Sequence, residues 1–202
     1  MPEPIFITSD KGHKVRVLSP FDYDKIVSNI DKDYLRTVFN VCFWSGMRYV
    51  EVQRFYDHSE WWLRERNTVH LPREAQKKVK RVAPERYIHP IPPQLVSKLP
   101  YFFKNKRPSA VKVWNENLKR WAGRSGLETE GIVPKTTRKS IESWMYVAGL
   151  PMNFICLRQG HDSFTSMNHY QALPFTEAEK SDDWQGEFRE GGLCLDQASM
   201  SG

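Results

Sequence analysis

Apolar residues fall at helical spacing over most of this chain. Tyr34, Leu35, Val38, Phe39, Val41 and Cys42 predict a helix over residues 34–44, preceded by another over 21–30. Ser45-Gly46 closes the second helix, because glycine readily takes the left-handed conformation of a helix stop. A short helix over 50–56 follows. Val111, Trp114, Leu118 and Trp121 mark one face of a helix over 110–122. Further helices are expected over 136–148, 152–158 and 164–171. Two β-rich runs, 68–71 and 87–91, flank a loop holding Arg73, Lys77, Lys78, Lys80, Arg81 and Arg86 against Glu74 and Glu85. Pro92-Pro93 ends the second run. Residues 1–20 read as an extended lead-in, 21–174 as one domain and 175–202 as a tail. The expected fold class is α+β, mainly α with a small antiparallel β-sheet.

Charge sharpens that division. Seven acids and two bases give residues 175–202 a net charge of −5, leaving 28 bases and 17 acids, net +11, in the rest. A basic body favours polyanions, since each neutralised phosphate releases condensed counterions. A plain solvated surface accounts for the same excess. In the tail Trp184, Phe188, Leu193 and Leu195 are isolated among acids, and Gly191-Gly192 with a polar end suggests disorder beyond about residue 190. The three cysteines, Cys42, Cys156 and Cys194, form no CxxC pair and suit a reducing cytosol. Met1 leads into Pro2-Glu3-Pro4 without the apolar run of a signal peptide, and no apolar stretch is long enough for a bilayer. A soluble, cytoplasmic protein is expected.

Five positions can handle a phosphodiester. Arg48, after the Ser45-Gly46 stop, offers a planar fork matched to phosphate oxygens. Its structural alternative is capping of the preceding helix or pairing with Glu51. Lys135 and Arg138 lie three apart and are expected on one helix face, with Pro134 in the first turn and Ile141, Trp144, Met145 and Ala148 opposite. A solvated basic face is the alternative there. His161, after Gly160, can donate to a phosphate oxygen or satisfy helix-end carbonyls. Cys156, His161 and His169 lack the paired spacing of a metal site. Tyr170 has a phenol whose pKa lies near 10. Nearby cations would favour its phenolate and stabilise charge on a pentacoordinate phosphorus.

These residues resemble the tyrosine recombinase (phage integrase) family. Ser45-Gly46-Met47-Arg48-Tyr49-Val50-Glu51 is similar to its first arginine box. Arg138, Gly149-Leu150-Pro151, Gly160-His161, Thr165 and His169-Tyr170 are similar to the second. The likeness spans roughly residues 20–172. Lys135 stands where most members have histidine, which resembles archaeal virus and plasmid integrases, the fusellovirus type included. The run from Leu71 to Lys78 has the same archaeal look.

The resemblance implies the catalytic-domain fold of that family and a covalent mechanism. Tyr170 would attack DNA to give a 3′-phosphotyrosyl link and a free 5′-hydroxyl. Arg48 and Arg138 would clamp the phosphate with His161 and Lys135. A lysine of the β-hairpin would protonate the leaving oxygen. Lys78 is the first candidate for that acid, with Lys80 and Lys77 close behind. Partners would be double-stranded attachment sites bound by a homo-tetramer, and neither metal nor other cofactor is implied. The short stretch before the first helix departs from full integrases, which usually carry a separate DNA-clamping domain. An isolated domain, a minimal recombinase or a remnant of a split gene would each fit. An inactive DNA-binding remnant and a type IB topoisomerase-like activity are the alternatives.

Overall fold

A computed structural model describes residues 3–8, 12–75 and 85–160. It is mainly helical with two small antiparallel sheets, an α+β arrangement. Strands β1 (Ile5–Thr8) and β2 (Lys14–Val17) form a hairpin. Helices α1 (Pro20–Ser28), α2 (Asp33–Ser45) and α3 (Tyr49–Asp57) follow. Strands β3 (Trp62–Leu63), β4 (Thr68–Leu71) and β5 (Arg86–Ile88) make the second sheet in that order. Helices α4 (Pro93–Val96), α5 (Leu99–Lys104), α6 (Val111–Arg124), α7 (Thr136–Val147) and α8 (Met152–Gln159) complete the described chain.

Helix α2 is the hub. Residues 37–45 are all buried, so this helix is covered on every side, as an element without a polar face must be. Helices α4, α5 and α7 pack around it. Aromatic rings fill the spaces between helices. Phe43 lies edge-on to Trp144 of α7, with centroids 4.8 Å apart, and Trp114 of α6 stacks on Tyr49 of α3 at 4.6 Å. Phe43, Trp114 and Trp144 are fully buried, and each such ring removes a large apolar area from water.

The N-terminal segment is extended, as a hairpin, and is tied into the body. The Leu18 N–H donates to Ser140 Oγ at 2.8 Å, and Trp144 Nε1 donates to the Leu18 carbonyl at 2.8 Å. Among the described residues, no helix is long and apolar enough to cross a membrane.

Several details differ from the sequence reading. Helices α4 and α5 were not among the expected elements; Pro93 and Pro100 occupy their first-turn positions, where no N–H is needed. Pro134 lies outside α7, whose N-cap is Lys135. Val111 opens α6 and is 39% exposed, whereas Trp114, Leu118 and Trp121 are buried. Strand β5 starts at Arg86, which therefore belongs to the sheet and not to the basic loop. The expected helix over 164–171 lies outside the described residues.

Gly46 ends α2 in the left-handed region, at φ 64°, as its place in the sequence suggested. A Cβ there would sit 2.3 Å from Gln159 Nε2 at the end of α8. Left-handed backbone costs a residue with a side chain about 1–2 kcal/mol. Gly46→Ala is expected to lower stability by about 1–2 kcal/mol in chemical denaturation.

A candidate anion site at the ends of two helices

A helix leaves its last carbonyls without intrahelical donors, and at α2 and α8 those carbonyls are buried together. Arginines supply the donors. Arg158 donates through Nη2 to the Trp44 carbonyl at 2.9 Å and through Nη1 to that of Ser45 at 3.3 Å. Arg138 donates through Nη1 to the Gly46 carbonyl at 2.6 Å and through Nη2 to the carbonyl of Gln159. Arg86 Nη1 donates to that same Gln159 carbonyl. Each guanidinium thus lies at the negative end of a helix dipole, where a cation is favoured.

A buried carboxylate links this array to the next helix. Glu51 is fully buried and accepts from Arg86 Nη2 at 2.6 Å, from Arg48 Nη1 at 2.7 Å and from the Arg48 backbone N–H at 2.8 Å. Arg48 is the N-cap of α3, so its N–H to Glu51 bond also satisfies an orphan donor of the helix start. Its side chain is 23% exposed, whereas Arg86, Arg138 and Arg158 are all buried. Of these four guanidinium groups, Arg48 has the most contact with solvent.

Electrostatics follow from this crowding. Burial by itself raises the Glu51 pKa, but Arg86, Arg138 and Arg48 outweigh it and hold the carboxyl below its ordinary value. Burial first, then the charges of Arg86 and Arg48, push Arg138 down to about 9. Burial and Arg86 do the same to Arg158, also to about 9. Both arginines stay protonated at neutral pH. Desolvated positive charge of this kind is stabilised by any anion brought close to it.

The structure brings Arg48 and Arg138 together, on either side of Glu51 in the same charge cluster. Arg138 also holds the carbonyl of Gln159, two residues before His161. An added Cβ on Gly160 would meet Arg86 Cδ at 3.1 Å. Lys135 does not share a solvated face with Arg138: it is exposed at the N-cap of α7, and Arg138 points inward. Its field contributes, behind burial and Arg138, to depressing the pKa of Lys139, which pairs with buried Glu142 at 3.1 Å. Lys77, Lys78, Lys80, His161, Thr165, His169 and Tyr170 lie outside the described residues.

Sequence reasoning passed over Arg86 and Arg158. The signal for Arg86 was alternation: Arg86 and Ile88 are buried on either side of exposed Tyr87, the period of a strand. Arg158 lies beside the apolar pair Ile155 and Cys156 of a buried helix face, and a charge there has to find partners. Comparison with family models, curated proteins and solved structures finds no match to this chain.

Glu51 has a folded pKa below the unfolded one, so it contributes stability above the ordinary glutamate range and loses it as pH falls through the folded value. Glu51→Gln is expected to cost about 3 kcal/mol near pH 7, because it leaves buried arginines uncompensated. In urea titrations across pH, the gap between wild type and variant should close in the acid range.

Proposed function

We propose that this chain is a DNA strand transferase of the tyrosine recombinase kind, cutting and rejoining DNA through a 3′-phosphotyrosyl link. The observation that carries the reading is that Arg48 and Arg138, distant in sequence, both act on buried Glu51, while Arg138 holds the Gln159 carbonyl two residues before His161. In this reading Arg48 and Arg138 hold the two non-bridging oxygens of one phosphate, and His161 and Lys135 add donors. Tyr170 Oη forms the new bond to phosphorus as the bond to the 5′-oxygen breaks. A hairpin lysine, Lys78 first among Lys77, Lys78 and Lys80, gives that oxygen its proton. Attack by a 5′-hydroxyl of the partner strand reverses the step. The bond energy is kept in the phosphotyrosine, so the cycle runs without ATP or metal. Paired attachment sites held by a homo-tetramer, in the cytoplasm of an archaeal or virus-infected cell, complete the proposal. The same chemistry without strand exchange would be topoisomerase-like relaxation.

One observation favours a second reading, a DNA-binding domain that does not cut. Both terminal nitrogens of Arg138 already bond main-chain carbonyls, as a purely structural arginine would. Covalent trapping separates the two. On nicked suicide DNA in the presence of a chelator, wild type is expected to form a DNA-linked adduct and Tyr170→Phe none. Arg48→Ala should lower the adduct yield by roughly 10²- to 10³-fold, the usual loss for a donor to transition-state charge. DNA binding without an adduct would support the non-cutting domain.

A further inference from the structure

Arg86 belongs to neither arginine box, yet it touches both halves of the candidate site. One arm of its guanidinium donates to Glu51 Oε2 at 2.6 Å; the other donates to the Gln159 carbonyl, which Arg138 also engages. Glu51 in turn holds Arg48 by two bonds, at its Nη1 and its backbone N–H. The chain of contacts therefore runs from the Gln159 carbonyl, through Arg86 and Glu51, to Arg48. Arg86, buried like Arg138, acts on Arg48 through these neighbours. Its strand anchors it from outside: Leu71 and Arg86 are register partners between β4 and β5.

On the strand-transfer reading, we infer that Arg86 is a positioning residue that sets the separation between the Arg48 guanidinium and the Gln159–Gly160 turn. The fork is what the role requires. Two acceptors, a carboxylate and a carbonyl, lie on different elements, and a planar guanidinium spans both in one fixed geometry. A lysine keeps the charge but gathers its three donors at one nitrogen on a flexible stem, so it does not hold two separated acceptors at a fixed spacing. Arg86→Lys should therefore keep the electrostatic attraction for DNA and lose the alignment.

The test is single-turnover adduct formation and equilibrium DNA binding, compared between wild type and Arg86→Lys. The adduct rate should fall by roughly 10²-fold, the usual effect of a misalignment near 1 Å, while binding affinity changes by less than about threefold. An unchanged adduct rate, or rate and affinity falling together, would overturn the inference. A second measurement needs no catalysis. In 15N-labelled protein the Arg48 side-chain Nε–H signal should be sharp and slow to exchange in wild type, and broadened in Arg86→Lys. An Arg48 signal identical in the two proteins also overturns it. Wild type that binds DNA without forming an adduct would sink the strand-transfer reading alone, and the Arg48 signal then decides the positioning role. If Arg86→Lys does not fold, Glu51→Asp shortens the same link from its other end and should show the same split between rate and affinity. Failure of that split would count against the inference in the same way.

Discussion

The constraint on which this structure turns is the need to satisfy helix-end carbonyls that have no access to water. Helices α2 and α8 end side by side, each in a left-handed glycine, with their last carbonyls buried. Neutral donors would suffice for one such group. Here Arg158 serves the carbonyls of Trp44 and Ser45, Arg138 serves those of Gly46 and Gln159, and Arg86 shares Gln159. Only a branched, planar cation supplies several donors from one side chain while gaining from the dipoles it faces. Glu51 then keeps the assembled positive charge tolerable.

That arrangement is more than internal scaffolding because of where Arg48 sits. Three of the guanidinium groups are enclosed, and the fourth reaches solvent from the same carboxylate. Burial makes the enclosed charges expensive in isolation, as the lowered pKa values of Arg138 and Arg158 register. An anion meeting Arg48 enters a field set by all of them. A site of this kind is preorganised, since its dipoles and charges are fixed by the fold before the ligand arrives. The same groups thus stabilise two helix ends and, on the proposed strand-transfer reading, receive the phosphate.

Much of the scaffold was legible in the sequence. The helix pattern gave α1, α2, α3, α6, α7 and α8 nearly at their observed bounds, and Ser45-Gly46 marked the stop beside Arg48. Helices α4 and α5 went unread: each spans too few residues to show a helical period, and each has proline in its first turn. The pairing of Arg48 with Glu51, weighed as a structural alternative, is present, and it forms part of the site. Arg138 was legible as a candidate but not as a buried one. Spacing places Lys135 and Arg138 three apart; only the tertiary fold turns one outward and the other onto two main-chain carbonyls. Arg86 was hidden by composition, since the run of basic residues before it made it read as one more loop charge.

The central claim is that Arg48 and Arg138 face a common anion, and the most direct measurement is a crystal structure of the full chain with tungstate, located by its anomalous scattering. The account predicts a tungstate within hydrogen-bond distance of both guanidinium groups, beside the Gln159–Gly160 turn. Tungstate bound only at surface lysines, with Arg48 still closed onto Glu51, would contradict it.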